Sequence, residues 1–305
     1  MPKEIYIDPF TDFGFKKLFG EEESKEHLID FLNQILPKED LISHLQYGQN
    51  EHLPKTALDR KAIFDLYCTN QSGEHFIIEL QRATQMHIVD RSIYYSSFLI
   101  QQQGRKGKNW NYHLQKVYVI SILDFLLEER LKLENNLIHH GQIMEIHQHQ
   151  PLSNKLNYIF IEVPKFNKAP AELKNRKDQW LFLLKNLPNL QKRPKALQER
   201  IFQRFFDRAK IAKLPPEEAE KYIIAKGKMG DYKNTLDYRE AKGRKEGKIE
   251  GKLEGKLEGR IEGKLEEKEN LALKLHERGF PLNEIAEMVE VNPAEIEKWL
   301  KSSKK

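Results

Sequence analysis

Cysteine, long apolar runs and an apolar leader are all missing or scarce in this 305-residue sequence. The single cysteine, Cys68, excludes an intramolecular disulfide framework. No apolar run approaches the roughly 20 residues that a membrane-spanning helix needs. The first residues, MPKEIYID, lack the apolar segment of a secretory signal. These absences predict a cytoplasmic protein that does not partner a membrane.

Charge is abundant but unevenly distributed along the chain. The formal net charge is +5, yet residues 161–213 hold fourteen Lys and Arg residues and far fewer acids. A basic block of this density is the electrostatic signature of a protein that binds a phosphate backbone. The alternative is a set of solvated helix faces, because lysine is common on protein surfaces. The sequence favours contact with DNA or RNA.

The most informative stretch is residues 62–81, AIFDLYCTNQSGEHFIIELQ, which reads as two short apolar strands around a polar turn. One acid interrupts each apolar run, Asp65 in the first and Glu79 in the second. A turn centred on Ser72 would place the two acids opposite each other, because each lies seven residues from that centre. Opposed like charges destabilise a hairpin, so the pair predicts a hard cation between them, Mg²⁺ or Mn²⁺. The alternative is a hairpin with one wet face and two solvated acids.

The order Asp65, then Glu79-Leu80-Gln81, resembles the core of the PD-(D/E)XK nucleases, where an Asp on one strand precedes (Asp/Glu)-x-Lys on the next. Two further segments, YIDPFTDFGFKKLFG and FIIELQRATQMHIVDRSIYYSSFLI, are similar to one branch of that superfamily. The branch is the Rpn family of recombination-promoting nucleases and transposases. The resemblance covers residues 5–125, and the tail rich in Lys, Glu and Gly is also typical of such proteins.

The resemblance implies an α/β fold with a restriction-endonuclease-like core, in which a mixed central sheet is flanked by helices. A helical region and a helical C-terminal tail would follow. The implied function is that of a metal-dependent DNA endonuclease linked to recombination, mobile-element or defence activity. The alternative is a catalytically weak or inactive protein that keeps the nuclease fold and serves in DNA binding or assembly.

The resemblance also implies roles for individual residues. Asp65, Glu79 and the Leu80 carbonyl would hold Mg²⁺ or Mn²⁺, while Gln81, in place of the usual Lys, can orient water but supplies no charge. Asp12 is a candidate third acid, and its alternative role is the N-cap of the first helix. Candidate DNA contacts are Lys61, Arg82, Arg91, Arg105, Lys106 and Lys108. Lys61 and Arg82 are also candidates for the charge that Gln81 lacks.

The pattern along the chain predicts four regions. They are a nuclease-like domain over residues 1–165, a basic helical region over 166–238, a repeat over 239–268 and a small helix-turn-helix-like unit over 269–305. Within the first region, the clearest strand is 116–123, which should be central. The histidines of HHGQIMEIHQH are weak zinc candidates without a third ligand, and a solvated surface segment is favoured.

Residues 243–266 repeat the pattern Lys-(Ile/Leu)-Glu-Gly. Each glycine costs about 1 kcal/mol relative to alanine in a helix, and residues four apart carry charges of the same sign. An isolated helix is therefore not expected here. The segment should be either a flexible tether, which is slightly favoured, or a helix ordered by a partner chain, which would make the tail a homo-oligomerisation device.

Overall fold

The computed structural model describes residues 4–49, 51–52, 62–83, 87–104, 111–127 and 136–302. The α-helices are α1 Asp12–Phe19, α2 Lys25–Leu32, α3 Ile88–Gln102, α4 Arg176–Asn186, α5 Arg200–Ala209, α6 Pro216–Glu277, α7 Leu282–Val289 and α8 Pro293–Ser302. The strands are β1 Leu45–Tyr47, β2 Glu51–His52, β3 Ala62–Ile63, β4 Leu66–Asn70, β5 His75–Gln81, β6 Val117–Leu123, β7 Ile138–Met144 and β8 Pro151–Glu162. Short 3-10 helices cover Glu22–Ser24, Lys38–Asp40, Val163–Lys165, Pro170–Glu172, Leu187–Asn189, Lys195–Leu197 and Ile211–Lys213.

A six-stranded mixed sheet in the order β1-β4-β5-β6-β8-β7 forms the centre of the first unit. β6 pairs in parallel with β5 and with β8, and the other pairs of this sheet are antiparallel. All seven residues of β6 are buried, as expected for an apolar run in the middle of a parallel sheet. The predicted mixed sheet with a central strand at 116–123 is confirmed.

Helices cover both faces of this sheet because successive strand residues point to opposite sides. On one face, Ile77, Val117 and Val119 form an apolar cluster with Leu99 of α3. On the other face, alternate residues of the same strands join a larger cluster with α1, α2, α4 and α5. The hairpin of β4 and β5 therefore packs against apolar clusters on both of its faces, and these hold it in place within the sheet.

The larger cluster includes residues 166–222, which the sequence assigned to a separate basic helical region. Trp180 of α4 is fully buried, and its ring centroid lies 5.1–6.2 Å from those of Phe19, Phe31, Phe202 and Phe205. The chain divides into compact units at residue 229 instead of at the predicted residue 165. The cause is the apolar face of α4 and α5, whose burial against α1 and α2 outweighs the basic composition of the segment.

The N-terminal segment is bound to residues far along the chain. Ile7 N donates to Ala209 O at 2.8 Å, and Ile211 N donates to Ile5 O at 3.0 Å. The buried Asp8 then meets the start of α6, since Asp8 N donates to Tyr222 Oη at 3.1 Å and Lys226 Nζ donates to Asp8 Oδ2 at 3.0 Å. These contacts hold the residues that lead into α1.

The Lys-Glu-Gly repeat lies within α6, one continuous helix over Pro216–Glu277. The favoured flexible tether is therefore wrong. The local glycine cost was correctly counted, but an isolated segment must also nucleate a helix, whereas this repeat extends helix that is already formed. Tyr222 is buried near the N-terminal end of α6, and Ala272 is buried near its C-terminal end.

The second unit comprises residues 230–305. Its small core contains Ala272, Ile285, Ala286, Val289 and Ile296. The Asn292 side chain caps α8, since Ala294 N donates to its Oδ1 at 3.0 Å. Leu271 of α6 and Met288 of α7 lie outside this core and are exposed.

Candidate active site

The β4–β5 hairpin sets the register of the two acids. Leu66 pairs with Ile78 and Cys68 pairs with Phe76, so the same register continued by one residue brings Asp65 opposite Glu79. The turn between the strands is stabilised by Asn70, whose Oδ1 accepts from Ser72 N at 3.0 Å and from Glu74 N at 2.9 Å. Gly73 adopts a φ of 75°, a conformation that a residue with a Cβ disfavours. The local turn chemistry therefore produces the predicted facing pair.

The two carboxylates are held by each other's strand. Asp65 Oδ2 accepts a hydrogen bond from Leu80 N at 2.7 Å, and Glu79 Oε1 accepts one from Asp65 N at 3.3 Å. Asp65 lies directly before β4, where the regular pairing has ended, so its carboxylate takes the place of a backbone acceptor. This reciprocal arrangement fixes both side chains against the same edge of β5.

Glu79 is buried, with 3% of its surface exposed, and two side chains donate to its second oxygen. Gln81 Nε2 lies 3.0 Å from Glu79 Oε2, and Arg91 Nη2 of α3 lies 3.3 Å from the same oxygen. The Arg91 guanidinium also lies over the ring of Tyr95, 4.8 Å from its centroid. Arg91, a candidate DNA contact from sequence, is thus part of the acid site in this structure.

Both acids have a raised pKa. Burial, followed by the nearby charge of Asp65, raises the pKa of Glu79 from 4.5 to about 8, against the opposing effects of Arg91, Asp65 N and Gln81. Burial also raises the pKa of Asp65, and the charge of Asp12 adds to this, while the Leu80 N–H, Lys16 and Arg91 oppose it. Two acids in this state favour either a shared proton or a bound cation.

This arrangement predicts that the metal-free protein loses stability as the pH rises from about 4.5 to about 8. In that window the folded protein keeps a proton on Glu79 that the unfolded chain has released, so its stabilising effect is complete below pH 4.5 and is lost as the pH passes 8. Each unit of raised pKa corresponds to about 1.4 kcal/mol. Urea unfolding in a chelator between pH 5 and pH 8.5 should show the decline in the parent and a smaller one in Glu79→Gln.

The control for this experiment is Glu220→Gln, at an exposed position of α6, which should keep the parent's pH dependence. The buried His27 acts in the opposite direction, because burial lowers its pKa to about 4 and its contribution is lost as the pH falls. The relevant quantity is therefore the difference between the parent and each variant. An equal slope in parent and Glu79→Gln would contradict the raised pKa.

The site offers a hard cation two carboxylates and a carbonyl. The N–H and C=O of one strand residue point to the same side, so the Leu80 carbonyl lies on the side where Leu80 N meets Asp65. Magnesium commonly binds through one or two carboxylates and keeps several waters. No three His, Cys, Asp or Glu side chains in the described ranges lie together in a metal-binding group. The donor set fits a partly hydrated Mg²⁺ or Mn²⁺ and not an all-protein cage.

Asp12 lies close enough for its charge to raise the pKa of Asp65, but it does not form a three-acid group with the pair. Its carboxylate is paired with Lys16 Nζ at 2.6 Å. The alternative N-cap role was wrong, because Thr11 caps α1 and accepts from Gly14 N at 2.9 Å, which makes Asp12 the first residue of the helix. Helical spacing of four residues would have identified Lys16, as it would the Arg91–Tyr95 contact.

Arg82, the remaining candidate cation among the described residues, is not brought to the acids. Arg82 Nη1 lies 3.8 Å from Asp8 Oδ2, in the network that joins the N-terminal segment to α6. Lys61, Arg105, Lys106 and Lys108 lie outside the described residues. Arg82 thus pairs with Asp8 and not with the acid pair, and its role as a DNA contact stays a prediction.

Half of the cations in the basic segment over 161–213 are paired with carboxylates. These seven are Lys165, Lys168, Arg176, Arg204, Arg208, Lys210 and Lys213. Exposed cations of the same segment include Lys174, Lys177, Lys192 and Lys195. The positive field available to a nucleic acid is therefore weaker than the count of charges suggests.

The histidine-rich segment forms the edge strand β7 and the turn after it. His139 Nε2 lies 2.9 Å from the buried Glu162 Oε2, whereas His140, His147 and His149 are exposed. No metal-binding group includes any of them among the residues that the structure describes. This agrees with the favoured interpretation of a surface segment.

Comparison with known proteins gives a family match. A family described as PD-(D/E)XK nuclease family transposase matches residues 9–239, which is more than half of the chain. The matched span contains both acids, Gln81, Arg91 and the helices that complete the core. The search of curated proteins and the search of solved structures gave no match. No helix in the described part of the chain is long and apolar enough to cross a membrane.

Proposed function

Because the chain belongs to the PD-(D/E)XK nuclease family transposases, we propose that it is a metal-dependent DNA endonuclease that hydrolyses phosphodiester bonds. The observation that supports this most is the reciprocal pairing of Asp65 and Glu79 by the backbone of β4 and β5. Two buried acids with raised pKa values destabilise each other without a cation. A biological role in recombination, in mobile elements or in defence belongs to the same proposal.

In this proposal the metal ligands, Arg91 and Gln81 have separate tasks. Asp65, Glu79 and the Leu80 carbonyl hold Mg²⁺ or Mn²⁺, which would acidify an attacking water and stabilise negative charge on the phosphate. The positive charge of Arg91 opposes the raised pKa of Glu79 and so favours the ionised carboxylate that would bind the ion. Gln81 orients Glu79 through its amide N–H, and its carbonyl oxygen can accept a hydrogen bond from water.

Gln81 is also the observation that favours the second candidate, a weak or inactive nuclease fold that binds DNA. A lysine at this position would place a positive charge next to the water, and a glutamine amide does not. Replacing Gln81 by Lys is therefore expected to keep the nicking rate or to raise it by up to about tenfold, the effect of roughly 1.4 kcal/mol. The measurement is the initial rate of plasmid nicking in magnesium.

The matched variant is Gln81→Leu, which lacks the hydrogen bond to Glu79 and should nick more slowly than the parent. A fall of more than tenfold in Gln81→Lys would contradict the assigned role of the position.

The proposal itself is tested by incubating purified protein with supercoiled plasmid in magnesium, in manganese and in a chelator. Nicked or linear product should form in the presence of either ion and not in the chelator. Plasmid that is bound, as seen by a shift in mobility, but never cut under any of these conditions would favour the second candidate instead.

A further inference from the structure

The repeat within α6 carries an exposed apolar stripe. It consists of Ile249, Leu253, Leu257, Ile261 and Leu265, whose side chains are 46–69% exposed. Large aliphatic side chains that recur at a fixed spacing on an exposed helix are typical of an interaction surface. Nothing in the described part of the second unit covers them.

Charges of opposite sign flank this stripe on its two sides. A basic residue precedes each apolar residue, and these are Lys248, Lys252, Lys256, Arg260 and Lys264. An acid follows each one, and these are Glu250, Glu254, Glu258, Glu262 and Glu266. One residue turns an α-helix by about 100°, so the basic row lies on one side of the stripe and the acidic row on the other.

This order of rows distinguishes the two ways in which a pair of identical helices can pack through their stripes. In a parallel pair, the basic row of each helix faces the acidic row of the other along both edges of the contact. In an antiparallel pair, basic faces basic along one edge and acidic faces acidic along the other. Flanking charges of this kind set the orientation of coiled coils.

The glycines of the repeat indicate that the helix needs such a partner. Six of them, from Gly243 to Gly263, recur at the spacing of the repeat, and each costs roughly 1 kcal/mol relative to alanine. Apart from its chain neighbours and the adjacent turns of its own helix backbone, a Cβ placed at any of these six glycines would meet no atom of the described chain within 4 Å. Intramolecular packing among the described residues therefore does not offset their cost.

We propose that residues 248–266 form a parallel, in-register helical pair with the same segment of a second copy of this chain. The stripe repeats every four residues, which exceeds the 3.6 residues of one helical turn, so the two helices wind right-handedly around each other. Over five positions the stripe turns by about 160° on a straight helix. The contact is consequently short, and the charge rows contribute much of its specificity.

Single cysteines test the orientation directly. The native Cys68 is buried, and burial raises the pKa of its thiol to about 12, so an introduced exposed cysteine is the reactive one. In the full-length chain, Leu253→Cys and Ile261→Cys, one repeat on either side of the central Leu257, should each form a disulfide-linked dimer under mild oxidation, because each position meets its own copy in a parallel pair. Gly255→Cys, on the opposite face of the same helix, should not.

Other cross-linking patterns would overturn the proposal. An antiparallel pair centred on Leu257 would cross-link Leu257→Cys with itself, but would join Leu253→Cys only to Ile261→Cys in a mixture of the two. Cross-linking of Gly255→Cys as fast as Leu253→Cys would mean random collision. If the chain sediments as a monomer at all concentrations up to about 100 µM, pairing itself is rejected. At that concentration even a weak pair with a dissociation constant of about 100 µM would be half formed.

Charge reversal provides a second, independent measurement. Replacing Lys252, Lys256 and Arg260 by Glu makes both flanks acidic and should weaken dimerisation at least tenfold. Replacing Glu254, Glu258 and Glu262 by Lys makes both flanks basic, with the same expected loss. Mixing the two variants should restore the pair, which a merely misfolded helix would not do. Failure to restore it would contradict the role of the charge rows, and nuclease activity enters none of these readouts.

Discussion

Replacing Asp65 by Asn is expected to reduce metal-dependent cleavage at least a hundredfold while leaving the fold intact. The change removes one of two charged donors for the cation, whose stabilisation of the transition state amounts to several kcal/mol. The amide oxygen of the introduced asparagine would still accept the hydrogen bond from Leu80 N, now made at 2.7 Å, so the hairpin keeps its local geometry. Removing one of two facing acids also relieves repulsion in the metal-free protein.

Binding can be measured apart from cleavage. Magnesium should raise the melting temperature of the parent, because a ligand stabilises only the state that binds it, by about 2.7 kcal/mol at a hundred times its dissociation constant. The increase should be much smaller in Asp65→Asn and unchanged in the control Asp90→Asn, an exposed acid of α3. Undiminished magnesium-dependent cutting by Asp65→Asn would place the active site elsewhere.

The second large effect concerns Trp180. Its replacement by Ala should destabilise the entire first unit by about 3–5 kcal/mol, the usual effect of removing a buried aromatic side chain. For a domain of this size that corresponds to a fall in melting temperature of roughly 6–20 °C. The loss of stability should extend to the β4–β5 hairpin, because Trp180 packs in the same cluster as Ile78 of β5.

Hydrogen exchange distinguishes this outcome from that of a separate basic domain. Amide protection in Ile77–Leu80 should fall together with protection in α4 when Trp180 is replaced by Ala. Trp180→Phe keeps one aromatic ring in the cluster but loses the second ring and the hydrogen bond from Nε1 to Asp30 Oδ2, 3.0 Å long, so its effect should be smaller than that of Trp180→Ala. If the hairpin amides kept full protection in Trp180→Ala, residues 166–229 would form a domain of their own.

The hairpin was predictable from sequence because its determinants are local. The turn residues 70–74 fix the register, and the register alone brings Asp65 to Glu79. Arg91 was identified only as a candidate, because its contact with Glu79 depends on how α3 packs across β5 and β6. Sequence periodicity identifies α3 as a helix but does not give its rotation relative to the acids.

The sequence did not predict the boundary between units or the tail helix, because both depend on residues far from the segment concerned. Trp180 contacts Phe19 and Phe31, which precede it by about 150 residues, and no window of the sequence records this contact. In the repeat, propensity correctly gave the cost of each glycine, but the helix begins at Pro216, well outside the repeat. Local rules therefore gave the correct cost of each glycine but predicted a tether where the structure has a helix.

The contacts of the N-terminal segment have a consequence for how the protein is made. Ile5 and Ile7 bond to Ile211 and Ala209, so these early residues acquire their backbone partners only after about 200 more have been added. At roughly 5–20 residues per second, translation needs about 10–40 s to cover that distance. During this interval the chain that leads into α1 does not have these partners on the nascent polypeptide. The first unit can therefore complete its backbone contacts only late in synthesis.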